Sequence, residues 1–131
     1  IINYMCDRNT EEYHRGDVVW CNFGVSTGSE QGGTRPAIII QNNIGNKYSP
    51  CLIVVPVSSQ WKKPMITHVG LNASETGLNK CSVAMAEQIQ TVDKSKISGK
   101  VSHLSDAMMR YIDKAIAASL GLNRNYNAYA V

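Results

Sequence analysis

Between Arg15 and Asp93, short apolar and β-branched runs alternate with clusters of Gly, Ser, Asn and Pro, the pattern of strands joined by turns. Asp17–Phe23 (Asp-Val-Val-Trp-Cys-Asn-Phe) reads as a first strand, stopped by the Gly/Ser/Thr-rich stretch from Gly24 to Gly33. Pro36 biases Arg35 toward extended geometry, and Ala37–Asn42 continues as a strand too apolar to be half-exposed, hence a central one. Turn chemistry at Asn42–Asn46 and at Ser49-Pro50 sets off Cys51–Ser59, the most apolar run in the chain. Pro56 cannot donate to a ladder, which predicts an edge or a bulge at that point. Lys62, Lys63 and Pro64 break the pattern; His68–Leu71 reads as a short strand and Gly77–Lys80 as a turn. Ser82–Asp93 reads as a last strand with Val83, Met85, Glu87 and Ile89 on one face. Strands without intervening helices predict a small antiparallel barrel or sandwich.

Only the end of the chain is clearly helical. Ser105 is suited to cap a helix, Asp106 favours its first turn, Met108, Ile112, Ile116 and Leu120 recur every four residues, and Gly121 supplies the stop. The expected fold is therefore mainly β with a C-terminal α-helix packed on the sheet. Residues 1–14 mix polar residues without period and open on Ile1, so they are read as an N-terminal extension, disordered or added, with Met5 as an alternative start. The domain is expected over 15–122, followed by a frayed tail over 123–131.

A length of 131 residues with 44% apolar residues allows one core that needs no disulfide or metal to hold it. The net charge of +3 is compatible with a polyanionic partner without requiring one. Cys6, Cys21, Cys51 and Cys81 are 15, 30 and 30 residues apart, with no CxxC pair and no His spaced to complete a zinc site. Most of them lie in or beside apolar runs, as free thiols in a reducing cytosol do. The longest apolar runs, Ala37–Ile40 and Cys51–Val57, fall far short of the roughly 20 residues that cross a bilayer, so the chain reads as soluble and not exported.

Three features carry candidate chemistry. The loop Gly28-Ser-Glu-Gln-Gly-Gly-Thr-Arg-Pro36 has glycines whose N–H groups can converge on an anion, and it delivers Arg35 to the start of a buried strand, where a phosphate clamp would be held rigidly. The plainer alternative is a hairpin loop with a solvated Arg. Ser58-Ser59 places hydroxyls at a strand end, suited either to a ligand oxygen or to a local backbone group. Trp61-Lys62-Lys63, with Lys47-Tyr48 elsewhere, sets cations beside rings, as a single nucleic-acid strand requires, or as a solvated face shows by chance. His14, His68 and His103 are dispersed, and no nucleophile elbow, HExxH, dinucleotide fingerprint or P-loop is present.

The words Arg15-Gly-Asp-Val, Gly28–Pro36, Ile40-Gln-Asn-Asn-Ile-Gly-Asn-Lys-Tyr-Ser-Pro50, Thr67-His-Val69, Glu87-Gln-Ile89 and His103-Leu-Ser-Asp106, in that order, resemble the MazF/PemK toxins of bacterial toxin–antitoxin systems, most of all the Gram-positive MazF type. The resemblance runs from Arg15 to about Leu122. It implies an SH3-like barrel with a terminal helix, a two-fold homodimer, and a metal-independent, cofactor-free endoribonuclease. Such enzymes cut single-stranded RNA by 2′-hydroxyl attack, leaving a 2′,3′-cyclic phosphate and a 5′-hydroxyl. The family's catalytic arginine falls on Arg35 and its hydroxyl partner, a threonine in close relatives, on Ser58, which lacks the methyl that stiffens χ1. Gln90 stands where the related word usually has Arg. Arg is a poor proton acceptor at neutral pH, and Glu30 in the same loop is the candidate base. Ser29, Gln31, Asn42, Lys62, Lys63 and Gln88 match positions that would line the RNA channel. The implied partners are RNA, a second copy, and a cognate MazE-like antitoxin whose acidic tail occupies the channel, with DNA met only through the antitoxin complex and no membrane; the implied setting is the bacterial cytoplasm. The rivals are a gyrase-poisoning toxin of the CcdB type, whose Trp-Gly-Ile end this chain lacks, and a non-catalytic RNA-binding barrel.

Overall fold

Strand β1 (Asp17–Asn22) sends alternate side chains into two different apolar clusters, Val18 into one and Val19 and Cys21 into the other, all fully buried. β2 (Thr34–Ile39) and β3 (Cys51–Ser58) do likewise: Ile38, Val55 and Val57 join Val18, while Ala37, Ile39, Leu52 and Val54 join Val19. Covering both faces of these strands is what makes their sequences continuously apolar rather than alternating. The computed structural model describes residues 12–25, 27–28, 32–60 and 63–122.

The sheet has seven antiparallel strands in the order β4-β5-β3-β2-β1-β7, where β4 is His68–Leu71, β5 Ser82–Met85 and β7 Ile97–His103; β6 (Gln90–Asp93) lies off this path, paired with β3. β3 is long enough to divide one edge between two partners. Its start pairs with β6, from Cys51↔Asp93 to Val54↔Gln90, and its end with β5, Val57↔Ala84 and Ser58↔Val83. Val55 and Pro56 fall in the interval, and a 3-10 turn, Ala86–Gln88, connects the two partner strands there. The irregularity expected at Pro56 is thus a handover between partners on an interior strand, not a sheet edge. The expected single strand over 82–93 is for the same reason two strands and a turn.

The helix α3 (Asp106–Leu120) follows two short ones, α1 (Asn43–Tyr48) and α2 (Ala73–Thr76). The Oγ of Ser105 accepts the Met108 N–H at 3.2 Å, and Gly121 ends α3 in the left-handed region at φ 69°, where its lack of a Cβ removes the strain. Of the expected four-residue repeat, Ile112 is fully buried and Met108 and Ile116 pack half-buried against the first cluster, but the repeat drifts about 40° per step around an α-helix, so Leu120 is exposed while Met109 and Ala115 join the buried row. α1 replaces an expected turn: Asn42 caps it, its Oδ1 accepting the Gly45 N–H at 2.8 Å. Sequence reading also missed β7, whose Gly and polar residues carry little apolar signal; it closes on β1 with two register shifts.

Two polar knots, one buried and one at the surface, lock these pieces. Asp17, nearly enclosed, accepts the His14 backbone N–H at 2.8 Å, and its other oxygen lies 2.8 Å from His103 Nδ1, tying β1 to β7. Arg15 donates from Nε to the Ile40 carbonyl and from Nη2 to Asp113 on α3, so the helix is anchored to the end of β2. Tyr13, assigned from sequence to the N-terminal extension, is buried in the second cluster under Lys94 and Lys100.

Ile38 is fully enclosed in the first cluster. Ile38→Ala is expected to lower unfolding free energy by about 2–5 kcal/mol in urea titration with an unchanged slope, through lost burial and the cavity left behind.

Candidate active site

The β2–β3 ladder pairs Ala37 with Pro56, Ile38 with Val55 and Ile39 with Val54. Continued by two residues, the same register brings Arg35 opposite Ser58, just beyond the last pair. Alternation puts both on the side of the second cluster, Arg35 in line with Ala37 and Ile39, and Ser58 in line with Leu52 and Val54. A guanidinium and a hydroxyl thus share the mouth of a packed apolar core.

Arg35 is half-buried, and its Nε donates to the Gly32 carbonyl at 2.9 Å. That bond fixes one edge of the guanidinium. No ion pair to a described residue engages the group, so its terminal nitrogens can address an anion in the fork geometry that suits phosphate. Ser58 is almost enclosed at 2% exposure; its Oγ accepts the Gln60 backbone N–H at 3.2 Å, which leaves its own proton to donate.

Gln88 lies in the 3-10 turn beside β3, half-buried, with Nε2 4.0 Å from Met85 Sδ. Lys63 is exposed on the segment between β3 and β4. Asn42 stands at the other end of β2 from Arg35, roughly 20 Å along the chain at strand rise, with its Oδ1 capping α1. The chain therefore assembles Arg35 and Ser58, with Gln88 in the turn that borders β3, and keeps Asn42 apart. Ser29, Glu30, Gln31 and Lys62 lie outside the described residues.

Sequence reading missed a network around the turn that carries Gln88. The Glu87 carboxylate accepts the Thr67 hydroxyl on Oε1 at 2.9 Å, and its Oε2 lies 3.0 Å from His68 Nε2. An ionised carboxylate only accepts, so Nε2 carries a proton; Nδ1 is buried and has no hydrogen-bond partner among the described residues. Burial alone would raise the Glu87 pKa, but hydrogen bonds from His68, its own backbone and Thr67 outweigh it and hold the group below its ordinary value. The available signal was an acid in the otherwise apolar row Val83, Met85, Ile89. Cys21 is no nucleophile: burial pushes its thiol up to about 11 against the opposing charge of Lys96. Among the described residues no three His, Cys, Asp or Glu side chains are grouped to hold a metal ion, and no helix is long and apolar enough to cross a membrane. A groove of about 370 Å³ between β4 and α3, lined by Ile66, His68, Val69, Met108, Tyr111 and Lys114, contains neither Arg35 nor Ser58.

The family of PemK-like, MazF-like toxins of type II toxin–antitoxin systems matches residues 14–120. The chain belongs to this family. It is 44% identical over 109 residues to "Endoribonuclease EndoA" of Bacillus subtilis, covering 82% of this chain and 94% of that protein. It is 46% identical over 110 residues to "Endoribonuclease MazF" of Staphylococcus saprophyticus, covering 83% and 92%. Its fold is similar to MazF of Deinococcus radiodurans, with TM-score 0.73, 24% identity and coverage of 85% of this chain and 98% of that one. It is also similar to a structure described as "Endoribonuclease in complex with its cognate antitoxin from Mycobacterial species", with TM-score 0.72, 24% identity and coverage of 85% and 97%. The expected MazF-type barrel with a terminal helix is therefore the fold of this toxin.

Because the folded pKa of Glu87 is depressed, its ionised form stabilises the toxin above the ordinary value of 4.5, and that contribution is lost as pH falls through the folded value. The stability difference between wild type and Glu87→Gln is expected to be constant near neutrality and to vanish in acid, as read by denaturant titration across pH; a gap that widens in acid contradicts the assignment.

Proposed function

We propose that this toxin is a sequence-selective, metal-independent endoribonuclease of single-stranded RNA. The observation that carries the proposal is Arg35, fixed by Gly32 at the mouth of the second core in register with Ser58. The two relatives above, at 44% and 46% identity, bear the name endoribonuclease, which agrees with it.

In this reaction the ribose 2′-oxygen forms a bond to phosphorus and the P–O5′ bond breaks. The 2′ proton passes to a base and a proton returns to the leaving 5′-oxygen, giving a 2′,3′-cyclic phosphate and a 5′-hydroxyl. Negative charge grows on the non-bridging oxygens, where the terminal nitrogens of Arg35 and the hydroxyl of Ser58 stabilise it. Charge that a guanidinium can neutralise needs no metal or other cofactor. Glu30, five residues before Arg35, is the proposed base. Lys62 and Lys63 are assigned to phosphates, and Ser29, Gln31, Asn42 and Gln88 to sugars and base edges. Because Asn42 stands apart from Arg35 in one protomer, its contact fits a channel that runs across a homodimer. A cognate antitoxin with an acidic tail is the proposed neutraliser, in keeping with the mycobacterial structure described with its antitoxin, and the cytoplasm is the proposed setting.

Arg35→Ala is expected to reduce cleavage of a long transcript by at least ~10²–10³ fold with an unchanged melting temperature, and Ser58→Ala by about 10²-fold in kcat. Cutting is expected to persist in EDTA and to leave ends that a kinase can phosphorylate directly. Full activity of Arg35→Ala, or loss of all cutting on chelation, overturns the proposal.

A further inference from the structure

The 3-10 turn Ala86–Gln88 has little strength of its own, being three residues long and closed by one weak Ile89 N–H to Ala86 carbonyl bond at 3.3 Å. Its shape is imposed from outside. The Ala86 N–H donates to the Thr67 carbonyl at 2.9 Å, and the Ser119 hydroxyl on α3 donates to the Ala86 carbonyl at 3.0 Å. The Glu87 side chain is gripped at both oxygens by Thr67 and by His68, whose imidazole is nine-tenths buried. Two consecutive residues at the start of β4 thus hold the backbone and the carboxylate of one turn. With Glu87 turned toward β4, the next residue, Gln88, is placed in the interval beside Val55 and Pro56 of β3, on the strand that ends in Ser58.

The geometry points to Glu87, clamped by Thr67 and His68, as a positioning residue that aims Gln88 at the bound RNA and so sets which base is accepted there. This rests on the nuclease reading above. Glu87 does no proton transfer in this role: it stays ionised, and its two oxygens are already occupied. His68 acts by donating from Nε2, so a side chain that keeps a donor at that reach keeps the function, and one that lacks it does not.

The test maps the wild-type cutting site on a long transcript, then measures kcat and KM on a short oligoribonucleotide carrying that site and on versions with one base changed. Glu87→Gln and His68→Ala are each expected to raise KM about tenfold and to narrow the preference for the mapped site, with kcat within about threefold. His68→Gln, which retains a donor at the Nε2 position, and Thr67→Ser, which retains the hydroxyl, are expected to stay close to wild type. Adding Glu87→Gln to Gln88→Ala is expected to change nothing further, because both act through one contact. A purely structural role predicts instead a lower melting temperature and a lower kcat at unchanged KM and site preference, with additive effects. That result overturns the inference and leaves the nuclease reading intact. Equal losses in His68→Gln and His68→Ala also overturn it, and that comparison stands even where Glu87→Gln does not fold. A wild type that cuts no RNA overturns both.

Discussion

Everything at the site depends on how β3 is paired. An interior strand normally keeps one partner along each edge, but β3 keeps β2 on one and divides the other between β6 and β5, with Val55 and Pro56 in between. Pro56 has no N–H to offer a ladder, so a break there costs less than at any other residue of the strand. The break gives the turn Ala86–Gln88 its place beside β3 and lets β5 run on to pair with Ser58. A continuous β5–β6 strand would close that interval, and no turn residue would border the strand end that carries the hydroxyl.

In the proposed site, where the resemblance implies a threonine at the position of Ser58, the difference is compensated locally. A threonine holds its hydroxyl through χ1 restriction by the methyl group. Ser58 lacks the methyl, but near-complete burial and the Gln60 N–H bound to its Oγ restrict the same torsion. The Arg35 partner is restrained by a different device, the Gly32 carbonyl on Nε, which orients the guanidinium without neutralising it. A carboxylate in place of that carbonyl would hold the group as firmly and weaken its attraction for phosphate.

The strands were legible where burial on both faces forces long apolar runs, as in β1 to β3, and the helix where a cap, a stripe and a glycine agree. β7 was not legible, because its Ile-Ser-Gly-Lys-Val-Ser-His sequence earns its place by closing on β1 rather than by pattern. α1 was hidden for a related reason: Asn42 serves turn and N-cap alike, and only the following residues decide. Arg35 and Ser58 were singled out through a family resemblance; spacing alone gave each of them a plainer alternative. What joins them is strand register, a tertiary fact that the 22 intervening residues do not encode locally. Thr67, His68 and Glu87 meet through the β4–β5 pairing of His68 with Met85 and the turn that follows it, which is again a tertiary juxtaposition.

The two halves of the site rest on different cores. Arg35 and Ser58 lie on the side of Val19, Cys21, Ala37 and Val54, the second cluster, which α3 does not touch. The turn carrying Gln88 is bound to α3 by Ser119 and to β4, and α3 buries Met109 and Ile112 in the first cluster with Val57, Leu71 and Ala84. Loosening α3 therefore acts on the turn through a direct hydrogen bond, while it reaches the guanidinium only through the thickness of the sheet. A chain arranged in this way can alter the turn proposed to meet a base by repacking its helix, and leave the guanidinium proposed to meet the phosphate where it is.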